Sequence, residues 1–509
     1  MNAFFETVAK VNDVINGVVW GWPMILLILG TGVLLTVRTK ALQVRKFSDA
    51  CKETILPTLK SIGEKKDKDL TKTENALSPF EAFATAISGT VGTGNIIGVS
   101  SAILTGGPGA VFWMWVSAFF GMVTNYSENV LGMYFRKKEK NGEFSGGAMY
   151  YLCEGIGRDK TGKFGAILKK FGKVLGVLAA LFCAFAAIGM SGAQTNKMSG
   201  TFQSIFSGDK QVIGLIVGVV VAIALALILF GGIKSIGRVT SFLVPFMSLI
   251  FIVMSLIIIF WNANKLGDAF SLIFSNLFSF KAGVAGFAGY QFSQIIQKGF
   301  ARGVFSNEAG LGSSVIAHSA SNTREPVKQG MWGVFEVFFD TFIICTLTAL
   351  VILVSTDTSV LYATENGALI SLDTAISMGA FESVFGLFGR GMYAVIIPLF
   401  AFTTILAWSY YGEKAVDFLF RNTGDKGRKL VTAVFKALYV LLVIVASIVD
   451  GELAWAISDT CNGLMALPNL IGLVLMSGLV VKITKNYFDR KAGKDVAPMI
   501  SAYSEQNEQ

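Results

Sequence analysis

The chain has 509 residues, of which 53% are hydrophobic, 12% aromatic and 15% charged, with a mean hydropathy of +0.60 and a formal net charge of +9. A soluble domain carries about 25% charged residues, so this composition excludes a soluble enzyme and reads as an all-α membrane protein. One histidine, His318, excludes a histidine-rich metal centre, and the scattered Cys51, Cys153, Cys183, Cys345 and Cys461 read as buried or cytoplasmic thiols.

Apolar stretches of spanning length fall at 14–38, 79–104, 109–135, 175–205, 212–231, 237–261, 283–318, 329–355, 386–416, 430–450 and 453–484, which makes eleven predicted helices. The first follows Glu6, Lys10 and Asp13 and lacks the basic start and small-residue cleavage site of a signal peptide, so it reads as a helix. The second contains Ser88-Gly89-Thr90-Val91-Gly92-Thr93-Gly94-Asn95. Each interior Gly costs a helix about 1 kcal/mol relative to Ala, and lipid offers no water to the freed backbone groups. A helix broken there presents amide donors from one half and carbonyl acceptors from the other, which suits a zwitterion and a sodium ion. The fourth stretch is interrupted by Gln194, Asn196 and Lys197, and the seventh by Ser306-Asn307-Glu308-Ala309-Gly310-Leu311-Gly312-Ser313. Thr403, Thr404 and Trp408 lie in the ninth, and 487–509 reads as a polar, disordered tail.

Basic residues cluster after every odd-numbered stretch, from Arg38 to Lys72, at Arg136-Lys137-Lys138, at Lys234 and Arg238, at Arg324 and Lys328, from Arg421 to Lys429, and from Lys482 to Lys494. The other loops hold essentially Lys210, Lys265 and Lys281. This places the N-terminus outside and the C-terminus in the cytoplasm of a cell whose plasma membrane the chain spans. The positive charge is therefore a topology signal, with no basic soluble domain for nucleic acid and no protein partner evident. The lipid bilayer is the surrounding phase.

Gly92 and Gly94 recur as Gly310 and Gly312 at a spacing of 218, and each block precedes a Trp-bearing stretch (Trp113 and Trp115; Trp332). Stretches two to six and seven to eleven then form two sets of five in opposite orientation, with the broken second and seventh in corresponding places. The domain plan is a peripheral first helix (1–40), a basic cytoplasmic loop (41–78), a first five-helix repeat (79–262), a second (263–486) and the tail.

Gly106-Gly107-Pro108-Gly109-Ala110-Val111-Phe112-Trp113-Met114-Trp115-Val116-Ser117-Ala118-Phe119-Phe120-Gly121 resembles the signature of the alanine-or-glycine:cation symporter family. Residues 306–313 and Asn462-Gly463-Leu464-Met465-Ala466-Leu467-Pro468-Asn469 resemble two further blocks of that family. The resemblance implies ten of the eleven helices in the leucine-transporter arrangement and sodium-coupled uptake of a small neutral amino acid, alanine or glycine, by alternating access. Thr90 to Asn95 is also similar to the break in the first core helix of sodium-dependent neurotransmitter transporters. That similarity implies substrate carboxylate at the Thr93 and Gly94 amides and ammonium at the Thr90 carbonyl. It implies sodium held by carbonyls of Ser88 and Val91 with Thr403 and Thr404. Gly92, Asn95, Gln194, Asn307, Gly310 and Trp408 complete the candidate substrate residues.

Each has a plainer reading. Thr403 and Thr404 can back-bond to preceding carbonyls, Gln194 can join helices, and Trp408 can be core. Glu308 reads as half of an ion pair with Arg302, or as a proton carrier. Glu81, Glu128, Glu336, Asp340 and Asp459 are further charges in or near spans. A symporter for a larger neutral amino acid such as glutamine is the near alternative in function, and an ion channel the distant one.

Overall fold

The computed structural model describes residues 2–61, 76–277, 285–356, 369–449 and 451–503. Among them the chain is helical, with one two-residue-per-strand hairpin. In chain order the elements are α1 (Asn2–Val19), α2 (Trp22–Arg38), α3 (Leu42–Arg45), α4 (Phe47–Ser61), α5 (Pro79–Thr90), α6 (Ile97–Gly106), α7 (Ala110–Tyr134), β1 (Lys137–Lys138) and β2 (Phe144–Ser145). Then come α8 (Ala148–Gly155), α9 (Gly162–Ile205), α10 (Lys210–Leu229), α11 (Gly232–Trp261), α12 (Leu266–Ser275), α13 (Ala285–Asn307), α14 (Val315–Ser319), α15 (Pro326–Val337) and α16 (Thr346–Ser355). The last four are α17 (Leu369–Phe385), α18 (Leu387–Leu419), α19 (Gly424–Ala446) and α20 (Gly451–Lys491).

Eight of these spans are long and apolar enough to cross a membrane among the described residues, and a ninth is the pair α5–α6, bent by 57° at Val91–Gly92. Helices α7 and α13 occupy the predicted third and seventh stretches with 25 and 23 residues. They carry more polar side chains because they line the interior: Asn125, Ser127, Glu128 and Asn129 of α7 are all buried. The lipid face shows the opposite pattern. Along α11, Phe242, Leu249, Phe260 and Trp261 are exposed while Val244, Met247, Phe251 and Ile258 face the bundle, as expected where lipid is as apolar as the core.

Three expectations change. The first span runs from Glu6 to Arg38 over α1 and α2, with a joint at Trp20–Gly21 ahead of Pro23. The basic segment after it holds α3 and α4 up to Ser61, and 62–75 lies outside the described residues. The C-terminal tail, expected to be disordered, packs back as far as Tyr503. Ala502 donates its amide to the Tyr134 carbonyl at 2.8 Å, Met499 donates to Asn486 Oδ1 at 3.0 Å, and the Tyr503 hydroxyl bonds Glu154. Its polar composition concealed these partners because each lies more than ten residues away in sequence.

Helix contacts in the centre depend on small residues. A Cβ on Gly333 of α15 would lie 2.3 Å from both Asn125 Oδ1 and Asn129 Nδ2 of α7. Substituting Gly333→Ala is expected to cost about 1–3 kcal/mol of stability through overpacking, read as a lower Tm of the detergent-purified protein.

Candidate functional site

The first break starts from a well-capped helix. Ser78 and Glu81 form a reciprocal capping box, Pro79 opens α5, and the backbone turns at Gly92. The Gly92 amide donates to Asn95 Oδ1 at 2.9 Å, and the Thr93 amide and hydroxyl both donate to Gln194 Oε1, at 3.2 and 2.9 Å. The polar interruption of α9 thus serves the interruption of α5–α6. Gly92 is required by contact: a Cβ there would sit 2.4 Å from Thr404 Oγ1. Thr404 therefore faces the break from α18. It also back-bonds to Phe400 O at 3.0 Å, while Thr403 donates to the Leu399 and Phe400 carbonyls and lies near Met247 Sδ.

Asn95 reaches further. Its Nδ2 donates to Asp340 Oδ1 at 2.6 Å, and Asp340 Oδ2 accepts from Ser306 Oγ at 2.9 Å and Thr341 Oγ1 at 2.8 Å. Asn307 Nδ2 donates to Thr341 Oγ1 at 3.1 Å. Asp340 lies in a π-helical turn, Phe338–Cys345, between α15 and α16. Such turns insert one extra residue into a helix and recur at functional sites. One buried carboxylate thereby joins the first break to the second, and no Lys, Arg or His pairs with it among the described residues.

The second break, 308–314, is held differently. Glu308 adopts a left-handed φ of 55°, and Gly310 and Gly312 have φ of 94° and 75°. Glu128 of α7 accepts from the Gly310 amide at 3.3 Å and the Gly312 amide at 3.0 Å, and from Asn469 Nδ2 of α20. Asn469 also donates to the Gly310 carbonyl at 2.8 Å, and Tyr151 donates to Asn469. Both backbone groups of Gly310 are therefore engaged by the scaffold. The Glu308–Arg302 pair expected from sequence does not form. Glu308 Oε2 accepts from Ser313 Oγ at 2.5 Å, whereas Arg302 turns to Asp459 at 3.6 Å. The cause is the left-handed residue itself, which redirects the Glu308 side chain toward α14, beside the Trp408 indole. His318 is also structural: it meets Glu336 at 2.7 Å and accepts from Gln329 at 2.7 Å, fully buried.

Of the residues picked from sequence, Gly92, Thr93, Asn95, Gln194 and Thr404 converge on one spot, and Asn307 reaches it through Thr341 and Asp340. Ser88 donates to Thr85 O and Thr90 to Ile87 O on the α5 side, and Val91 is the α5 cap. A Cβ on Gly94 would lie 3.5 Å from the Phe305 ring. Trp408 is fully buried, with its ring 5.5 Å from Tyr411, which itself lies under Gly89. Asp340 and Ser306 are absent from the candidate site residues, although Asp340 is among the charges noted in or near spans. The available signal was a carboxylate, one turn after Glu336, at the start of the apolar run from Val337 to Leu353.

Comparison with known proteins follows this geometry. Residues 5–501 match the model of the sodium:alanine symporter family. The sodium/alanine symporter AgcS of Methanococcus maripaludis is 41% identical over 95% of this chain and 97% of its own. The chain belongs to the sodium:alanine symporter family. It is accordingly a sodium-coupled amino-acid transporter embedded in a membrane, and not an enzyme. The probable sodium/glutamine symporter GlnT of Bacillus subtilis is 32% identical over 94% of this chain and 91% of its own. Among solved structures, MhsT in complex with L-phenylalanine superposes with a TM-score of 0.53 over 81% of this chain and 98% of its own, at 14% identity. A sodium-coupled sialic acid symporter gives 0.51 over 95% and 93%, at 11% identity. At such identities the likeness speaks for the fold alone.

Because Thr404 and Gln194 leave no room beside Gly92, Gly92→Ala must displace the break. Misplacing a binding group by about 1 Å costs about 100-fold in rate, so alanine uptake by this variant in proteoliposomes is expected to fall by about that factor while sodium-independent leak stays unchanged.

Proposed function

We propose that the chain takes up a small neutral amino acid, alanine or glycine, together with sodium by alternating access. In this reading eleven helices cross the plasma membrane with the N-terminus outside, and the second to eleventh form a five-plus-five inverted repeat. The observation that carries the reading is the Asp340 bridge. A carboxylate at membrane depth without a cation costs several kcal/mol. A sodium ion seated between the two breaks, against Asp340 and the Ser306 hydroxyl, offsets that cost and ties the two halves together. A second sodium position uses the carbonyls of Ser88 and Val91 with Thr403 and Thr404, of which Thr404 faces Gly92 at the break.

The amino acid then binds over the break. Its carboxylate meets the amides around Thr93 and Gly94 near Gln194, and its ammonium the Thr90 carbonyl. Asn307 sits across from them, Gly310 braces the opposite break, and Trp408 bounds the pocket below. Sodium bound at Asp340 orders Asn95, which holds the Gly92 amide, so each ligand strengthens binding of the other. A membrane potential adds about 2.3 kcal/mol per charge per 100 mV to inward sodium movement. The M. maripaludis relative, named for alanine, favours a small substrate, and the GlnT relative makes glutamine the competitor to include.

The test is uptake of labelled alanine into proteoliposomes with and without an inward sodium gradient, with excess glutamine as competitor. Sodium-dependent uptake that glutamine leaves unchanged is expected, and uptake indifferent to sodium overturns the reading. Asp340→Asn is expected to raise the half-saturating sodium concentration about 30-fold or more, the scale of removing one partner of a buried charge pair.

A further inference from the structure

We propose that α1, which lies outside the ten-helix core, clamps the outer gate of the transport path by acting through Asp459. The outer side is the one assigned in the orientation proposed above, and the inference rests on that reading.

Asp459 is buried in α20 and has two separate neighbours. On one side Asn16 Nδ2 donates to Asp459 Oδ2 at 3.1 Å and to Thr460 Oγ1 at 3.0 Å, and Trp20 Nε1 donates to the Asp459 carbonyl at 3.1 Å. On the other side Asp459 Oδ1 faces Arg302 Nη1 at 3.6 Å. That is an ion-pair distance, too long for a hydrogen bond, and neither atom has a hydrogen-bond partner. The α1 contact is built in: a Cβ on Gly463, one helical turn beyond Asp459, would collide with Val19 Cγ1 at 2.1 Å and sit 3.1 Å from Trp20. Glycine there admits α1 to the surface of α20.

Arg302 belongs to the roof of the first break. It lies one turn before Ser306 in α13, with its guanidinium 5.7 Å from the Phe305 ring and 5.8 Å from the Trp455 ring. Phe305 packs on Trp455 at 5.2 Å and comes within 3.5 Å of where a Gly94 side chain would begin. Arg302, Phe305 and Trp455 thus form one layer over Thr93–Asn95, and Asp459 is the acidic anchor of that layer. Opening this side requires Arg302 to part from Asp459. The amide of Asn16 is neutral, so it fixes the orientation of the Asp459 carboxylate without consuming the charge that attracts Arg302. Releasing α1 lets Asp459 swing, weakens the hold on Arg302 and lets bound amino acid escape outward before the inner side opens. Asn16 and Trp20 are positioning residues in this scheme, since they touch no transported species.

The test is a double-mutant cycle on sodium-driven alanine uptake with Asn16→Ala, Arg302→Gln and the pair. Each single variant is expected to raise the external KM about 3- to 10-fold with kcat within about 2-fold, the scale of losing one or two hydrogen bonds. The double variant is expected to be no worse than the more affected single one, because Asn16 acts only through the partner of Arg302. Gly463→Val, which wedges Val19 and Trp20 away without touching Asp459, is expected to reproduce the Asn16→Ala effect. Multiplicative KM effects in the double variant, or unchanged KM in both Asn16→Ala and Gly463→Val, overturn the clamp. Size-exclusion profiles and sodium-dependent alanine binding of each variant separate misfolding from the gate effect. Wild-type uptake, measured beside them, tests the symport reading alone, so the two failures are distinguishable.

Discussion

Interrupting a helix at membrane depth frees backbone groups that only other parts of the protein can satisfy, and the polar residues around the two breaks answer that demand. Gln194 of α9 takes the Thr93 amide, Asn95 takes the Gly92 amide, and Glu128 with Asn469 takes both backbone groups of Gly310. The close helix approaches follow from the same demand. Side chains of this short reach work only when backbones come near each other, and Gly92, Gly312 and Gly333 are where a Cβ would block the approach.

The two breaks are satisfied in unlike ways. The second is braced by the Glu128 carboxylate, the Asn469 side-chain amide and the buried Tyr151, with a left-handed non-glycine residue, Glu308, at its head. Such a residue is strained by about 1–3 kcal/mol and persists only where its surroundings enforce it. The first break uses neutral side chains and opens toward Thr404 and Asp340. In the proposed function the braced second break serves as the reference frame and the first break receives the ligands. Asp340 connects them, because it accepts from Asn95 on one side and Ser306 on the other.

The likeness to MhsT at 14% identity shows how little of this fold depends on particular core residues. Packing of apolar helices in lipid tolerates exchange among Leu, Ile, Val and Phe, since the lipid is no less apolar than the partner helix. Specific chemistry is confined to the breaks and to what touches them. α1 belongs to this second group, since it meets α20 at Asp459, the residue that faces Arg302 beside the first break.

The sequence by itself determined that the chain is helical and spans a membrane, where most of its apolar stretches lie, and that α5–α6 and α13–α14 are broken. These properties are local: apolar length, glycine spacing and the absence of water in lipid decide them within a dozen residues. It also singled out Gln194 and Asn95, because polar groups inside an apolar run must have a partner, and the resemblance to sodium-coupled transporters added Thr404. It did not tell which partner. The tertiary structure decided that Glu308 turns to Ser313 and not Arg302, that Asp340 joins the two breaks from a π-helical turn, and that residues up to Tyr503 fold back onto α7 and α8. The reason is reach. A hydrogen bond spans about 3 Å while its partners here are separated by up to several hundred residues, so composition announces the need and only the packing of helices selects the residue that meets it.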